Sequence, residues 1–220
     1  MKYQKQFLLA SVVTFISLFS ACSDNGSSAE DVFVASEVCP ENMRGTFTDA
    51  RDGQVYKYTT IGNQVWMAEN LRFDDGSWCA EDTCSVKGRI YEFENALNAC
   101  PTGWHLPSGD EWNELFNSVG GADSAGMRLK ATAGWTPLNP GQLSNGTDDC
   151  GFALLPIPVS NKVTNSVGGE KHDGYITYLW TTSPGINDYI VGVLFETQNV
   201  YVQVASYYGW NHLSARCVKD

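Results

Sequence analysis

Apolar and polar positions along this chain are ordered clearly in four places. The first is Val55-Tyr-Lys-Tyr-Thr-Thr-Ile61, which alternates as a strand. It is followed by Gly62-Asn63 and then by Gln64-Val-Trp-Met-Ala68. Glycine accepts positive φ at the first position of a type II′ turn, so these residues predict a two-residue hairpin, with Trp66 and Met67 as core anchors. The second is residues 91–100, where Phe93, Ala96, Leu97 and Cys100 recur at helical spacing and predict a short helix with one apolar face. The third is residues 100–121. Ser108 and Glu111 stand three apart, the spacing of a capping box. Asp110 and Glu111 suit the positive end of the helix dipole. Trp112, Leu115, Phe116 and Val119 then form one helix face, and Gly120-Gly121 supplies the left-handed stop. The fourth is the C-terminal quarter. Residues 178–182, 189–195, 200–206 and 213–218 read as four strands with turn residues between them, as in an antiparallel meander.

The intervening segments are punctuated rather than periodic. Residues 39–52 are turn-rich, 73–88 form a loop, 125–130 a short helical piece, and 160–174 a polar loop. Residues 152–156 are apolar but carry Pro156, with Pro158 beyond, which restricts them to an edge strand or an extended segment. Strands and helices do not alternate as β-α-β, so a parallel sheet is not expected. The expected class is α+β: an N-terminal hairpin, two short helices, long loops and a C-terminal antiparallel sheet.

The N-terminus changes the picture of location. Lys2 and Lys5 precede a short apolar run from Phe7 to Phe19. The run is shorter than the about 20 residues of a membrane-spanning helix and has the form of a secretory signal peptide, residues 1–21. Leu18-Phe-Ser-Ala-Cys22 has the form of a bacterial lipobox, apart from Phe19 where Leu is usual. On that reading Cys22 is lipidated and becomes the mature N-terminus. The bland alternative is a free cysteine beside an ordinary cleavage site. Residues 23–31 are small and polar, and 22–38 are expected to be a flexible linker tethering the domain, 39–220, to a membrane surface. The expected location is the bacterial envelope, at the outer membrane or cell surface.

Charge and cysteines narrow the chemistry. Loss of residues 1–21 removes Lys2 and Lys5 and leaves 12 basic against 25 acidic side chains, a net charge of −13. Nucleic acid is therefore not an expected partner. Six cysteines remain besides Cys22: Cys39, Cys79, Cys84, Cys100, Cys150 and Cys217. An even number in an exported chain argues for three disulfides, and spacing alone leaves their connectivity open. Zinc is not expected, since Cys79 and Cys84 form a close pair that no second close pair matches. His105, His172 and His212 lack metal spacing. His105 reads as a hydrogen-bonded core residue beside the cap. Asp148-Asp149 and Asn187-Asp188 offer oxygens for calcium but read more simply as solvated turns. No metal or other cofactor is expected.

Several strings carry a family likeness: Gly45-Thr-Phe-Thr-Asp-Ala-Arg-Asp-Gly-Gln-Val-Tyr-Lys57, Ile61-Gly-Asn-Gln-Val-Trp-Met-Ala-Glu-Asn-Leu71, Gly88-Arg-Ile-Tyr91, Cys100-Pro-Thr-Gly-Trp-His-Leu-Pro-Ser108 and Ser214-Ala-Arg-Cys-Val-Lys-Asp220. They resemble, in order, the Fibrobacter succinogenes major paralogous domain family. That resemblance implies an exported or lipid-anchored protein and names no established activity. More distantly, Trp104-His-Leu-Pro-Ser-Gly-Asp-Glu-Trp112 and Arg216-Cys217 are similar to strings of the formylglycine-generating, sulfatase-modifying group. That second likeness implies a C-type-lectin-like fold whose terminal strand returns beside the early hairpin. It implies in turn the pairs Cys100–Cys217 and Cys79–Cys84, with Cys39–Cys150 completing the set.

Two functions follow as expectations. The first is a non-catalytic surface module that binds a polysaccharide or a surface protein through its long loops. Tyr207, Tyr208, Trp210 and Asn211 lie in a turn between strands, and some of their rings must face outward, so they are the candidate ligand surface. Tyr178, Trp180 and Tyr189 are expected to pack inside. The second is an enzyme of the formylglycine-generating type, which the distant likeness raises and which requires reactive thiols and copper. Each mature cysteine has a structural partner on the pairing above, and the lectin tripeptides Glu-Pro-Asn, Gln-Pro-Asp and Trp-Asn-Asp do not occur.

Overall fold

The structure is a computed structural model that describes residues 32–79, 83–157, 160–161, 166–167, 174–183, 190–197, 203–207 and 212–220. In chain order a short helix α1 (Ala35–Val38) and a 3-10 turn (Glu41–Met43) precede strands β1 (Gly45–Thr48), β2 (Val55–Ile61) and β3 (Gln64–Met67). Helix α2 (Cys84–Lys87), β4 (Ile90–Glu92), α3 (Phe93–Ala99), β5 (Trp104–His105), α4 (Gly109–Ser118) and α5 (Ala122–Leu129) follow. The rest is β: β6 (Ser160–Asn161), β7 (Ser166–Val167), β8 (Ile176–Trp180), β9 (Ile190–Glu196), β10 (Gln203–Tyr207), β11 (His212–Ser214) and β12 (Val218–Lys219). The class is α+β with two sheets.

The first sheet has the order β1-β2-β3-β12-β5. Its centre is the expected hairpin, with Tyr58 opposite Met67 and Ile61 opposite Gln64. Gly62 turns the chain at φ 58° while Asn63 keeps negative φ, as a type II′ turn requires. This hairpin buries side chains on both of its faces. Ile61, Trp66 and Val218 enter one core cluster; Tyr56, Met67 and Cys217 enter the other. The period of two sends neighbouring residues to opposite clusters.

The second sheet runs β10-β9-β8-β11-β6-β7, with β4 also paired to β11. Strands β8, β9 and β10 form the expected antiparallel meander. Several expectations need correction. The last strand is two strands: β11 serves the second sheet and β12 the first, so the chain end ties the sheets together. The pairing of β11 with β8, Ser214 opposite Leu179, is parallel. The turn-rich segment 39–52 contains β1, which adds to the outer edge of β2. The loops at 73–88 and 160–174 contain α2, β6 and β7. Residues 90–92 pair with β11 instead of starting the helix, so α3 begins at Phe93. Its turns bury Ala96 and Ala99 and leave Leu97 40 % exposed, because only one narrow side of so short a helix meets the core.

Helix α4 carries the punctuation its sequence specifies. Ser108 Oγ accepts from the Glu111 backbone N–H, and Glu111 accepts in return from the Ser108 N–H at 2.7 Å. Trp112, Leu115, Phe116 and Val119 are buried. At the other end Gly120 has φ 89°, and Gly121 donates to the Phe116 carbonyl while Gly120 donates to that of Asn117, a Schellman closure. Trp66, Trp112 and Phe152 meet edge to face or tilted at 4.6–6.1 Å between ring centres, which joins the hairpin to α4.

Three disulfides fasten these parts. Cys39 pairs with Cys150, Cys79 with Cys84, and Cys100 with Cys217. Segment 32–38, within the stretch read as linker, lies against the core through Phe33, Ala35 and Val38. Tyr178 and Trp180 are buried, whereas Tyr189 lies outside the described residues. No helix among the described residues is long and apolar enough to cross a membrane.

Candidate functional site

Leu71 donates its N–H to the Ala215 carbonyl, and Met67 to that of Cys217, so residues 215–217 run beside the exit of β3. Alternation then sends Ala215 and Cys217 into one core cluster and Arg216 to the opposite side. Arg216 is 1 % exposed. Its Nε donates to Asn70 Oδ1 at 2.8 Å, Nη1 donates to the Phe152 carbonyl, and the guanidinium lies 4.3 Å over the Phe152 ring. Its partners are thus neutral, and among the described residues no carboxylate stands within ion-pair distance of it. Burial pushes its pKa down to about 9, against the opposing pull of Asp148 and Glu69, so it is still charged at neutral pH.

Above Arg216 opens a cavity of about 530 Å³. Arg44, Gly45, Lys57 and Tyr58 of the β1–β2 edge form one wall, Ser85–Lys87 another, and Asp148, Gly151 and Ala153 a third. Asn70 ties Arg216 to the second wall, since its Oδ1 accepts from Arg216 and its Nδ2 donates to the Lys87 carbonyl. Gly88 is required there: it has φ 90°, and a Cβ on it would stand 2.6 Å from Asn70 Cβ. Arg44 Nη2 donates to the Asp149 carbonyl, while its Nε is buried with no hydrogen-bond partner among the described residues. Asp148 and Ala153 hold φ of 50° and 51°, a left-handed conformation uncommon outside glycine. Asp148 Oδ1 accepts from the Ala153 N–H at 2.7 Å, which closes that loop. Burial raises the Asp148 pKa; the Ala153 bond and the charges of Arg216 and Arg44 work the other way.

A second opening, a groove of about 520 Å³, shares Tyr58 with the first. Phe47 and Trp104 stack in it at 4.4 Å and 20°, and Thr46, Thr60, Asn42 and Lys219 supply hydroxyl, amide and ammonium groups. Gly45 lets Tyr58 lie across β1, because a Cβ there would come within 2.6 Å of the Tyr58 hydroxyl. Partly exposed rings beside hydroxyl and amide groups can hold the apolar face and the rim hydroxyls of a sugar together.

Of the candidate ligand residues, Tyr207 ends β10, and Tyr208, Trp210 and Asn211 lie outside the described residues, as does the candidate lipidation site Cys22. The same holds for His172 and Asn187-Asp188. Each of Cys39, Cys79, Cys84, Cys100, Cys150 and Cys217 is in a disulfide, so none of them is a free thiol. Among the described residues no group of three His, Cys, Asp or Glu side chains has metal-binding geometry. His105 is corrected from core to surface: its side chain is 42 % exposed, because β5 lies at the edge of the first sheet. It is hydrogen-bonded, with Nε2 2.7 Å from Glu111 Oε1 and Nδ1 2.7 Å from Asp220 Oδ1.

Arg44 was not singled out by sequence, Asn70 and Arg216 only within family strings, and Asp148 only with Asp149 as calcium oxygens or, more simply, a solvated turn. The signal for Arg216 is a charged residue between Ala215 and Cys217 in an otherwise apolar strand end. The other three have no such signal, since each acquires its role from chain segments far apart in sequence.

The family model described as Fibrobacter succinogenes major domain matches residues 59–219. No curated protein and no solved structure matches the chain.

Proposed function

The chain belongs to the Fibrobacter succinogenes major domain family, and on that premise we propose that it is a non-catalytic, lipid-anchored module of the bacterial cell surface that binds glycan or protein ligands, glycan above all. The observation that carries this reading is the groove lined by Phe47, Tyr58 and Trp104, in which the Phe47 and Trp104 rings stack on each other beside Thr46, Thr60 and Asn42. Ring faces take the C–H side of a sugar, and the short polar groups take its hydroxyls. The two-sheet α+β plan, with the chain end closing back on the early hairpin through β12, supports a C-type-lectin-like classification of the fold. We extend the ligand surface to the turn of Tyr207, Tyr208, Trp210 and Asn211, and assign residues 1–21 as the export signal and Cys22 as the lipid anchor that holds the domain at the envelope. The six disulfide-bonded cysteines speak for binding over thiol-dependent catalysis.

Chromatography of the purified protein over insoluble cellulose and xylan tests the glycan reading. Retention on at least one, lost on Trp104→Ala in protein that is still fully folded at the temperature of the assay, is the expected result. Passage through both columns, together with no effect of Trp104→Ala or Trp210→Ala on any glycan bound, would count against it.

A further inference from the structure

We infer that the cavity over Arg216 receives the carboxylate of an acidic sugar, so that the ligand is a uronate-containing glycan. The inference rests on the glycan reading above and adds the ligand's charge class. A fully buried guanidinium is costly unless an anion accompanies it. Arg216 has neutral acceptors at Asn70 and Phe152, and Asp148, the carboxylate that acts on it most strongly, makes no ion pair with it and spends one oxygen on the Ala153 N–H. Glu69 also lines the opening, but its oxygens are engaged elsewhere: Oε2 accepts from the Lys57 N–H and Oε1 pairs with Arg72 at 3.3 Å. Around the same opening stand Arg44, whose buried Nε has no hydrogen-bond partner among the described residues, and Lys57 and Lys87. Four cations, Arg44, Lys57, Lys87 and Arg216, thus line the cavity against two carboxylates, Glu69 and Asp148, in a protein whose net charge is strongly negative. A carboxylate there offsets the buried charge of Arg216 and the neighbouring charge of Arg44. Acidic sugar is favoured over acidic peptide by Tyr58, which lines both openings: a saccharide stacked in the aromatic groove continues past Tyr58 into the cationic cavity.

The test is titration calorimetry of the purified protein with galacturonate and glucuronate oligosaccharides, their methyl esters, neutral xylo-oligosaccharides and poly-glutamate. At least one uronate oligosaccharide is expected to bind, with its ester about ten-fold weaker or more, since a hydrogen bond to a charged group is lost. Poly-glutamate is expected to bind no better than the ester. Lys57→Gln is expected to weaken uronate binding about three- to five-fold, the range of an exposed ion pair, and Lys57→Arg to restore it. Lys57 is exposed, so these variants leave the core intact, which changes at Arg216 would not. Equal affinity for acid and ester would overturn the inference, as would poly-glutamate binding as tightly as the sugars. Binding of neutral oligosaccharides with no binding of either uronate would overturn the inference and leave the glycan reading standing. Failure of every saccharide would remove both.

Discussion

Arg216 and Asn70, 146 residues apart in sequence, are joined by a 2.8 Å hydrogen bond in which the buried guanidinium donates to the amide oxygen. Asn70 also holds the Lys87 carbonyl, so one side chain links the chain end, the exit of the hairpin and the α2 turn. Asn70→Ala leaves Arg216 Nε buried without an acceptor. The expected cost is about 1–3 kcal/mol. It should appear in urea unfolding as a lower midpoint with an unchanged slope.

The cap of α4 is a second separable contribution. Ser108→Ala removes the acceptor for the Glu111 N–H, and Glu111→Ala the acceptor for the Ser108 N–H. Each is expected to lower stability by about 1 kcal/mol. Neither residue lines the cavity or the groove, so both variants should bind any glycan as the parent protein does. Thermal melts paired with binding isotherms check this.

His105 makes the chain end sensitive to pH. Burial opposes its protonation, but hydrogen bonds to Asp220 and Glu111, and their charges, outweigh it and raise its pKa. A raised histidine contributes stability that is fully present below its unfolded value of about 6.5 and is lost as pH rises through the folded one. Glu111 works in the opposite sense. Burial raises its pKa, but bonds from the Ser108 backbone, His105 and the Ser108 hydroxyl outweigh it and lower the value. Its contribution is present above about 4.5 and is lost as pH falls through the folded value. The link is therefore strongest between about pH 4.5 and 6.5. The difference in melting temperature between the parent and His105→Gln should peak there, and shrink towards pH 8 and towards pH 3.

The disulfides differ in what they constrain. Cys100–Cys217 closes a separation of 117 residues and Cys79–Cys84 one of 5. By unfolded-state entropy, replacing the first pair with alanines should cost roughly 4–5 kcal/mol and the second only about 2 kcal/mol. Guanidinium unfolding of the two double variants should rank them in that order.

Local signals were legible where a short stretch settles its own conformation. The hairpin at Gly62, the capping box at Ser108 and the stop at Gly120 need only nearby residues, and each formed. The strands β1 and β4 were not legible, because each is created by a partner far along the chain or on a neighbouring strand's edge. Leu97 shows the limit of periodicity: the spacing was helical, but the helix has too little contact with the core to cover that position. The division of 213–218 between two sheets has no local mark either. The site was less legible than the fold. Phe47, Tyr58 and Trp104 come from three separate segments, and Arg216 meets Asn70 only once the chain end has returned.

The glycan-binding claim is tested most directly on a glycan microarray, with the parent protein and a Tyr58→Ala/Trp104→Ala double variant probed side by side. The expected result is a defined set of bound glycans and a loss of about ten-fold or more in the variant, at equal folded fraction. Binding to no glycan, or equal binding by parent and variant, would contradict it.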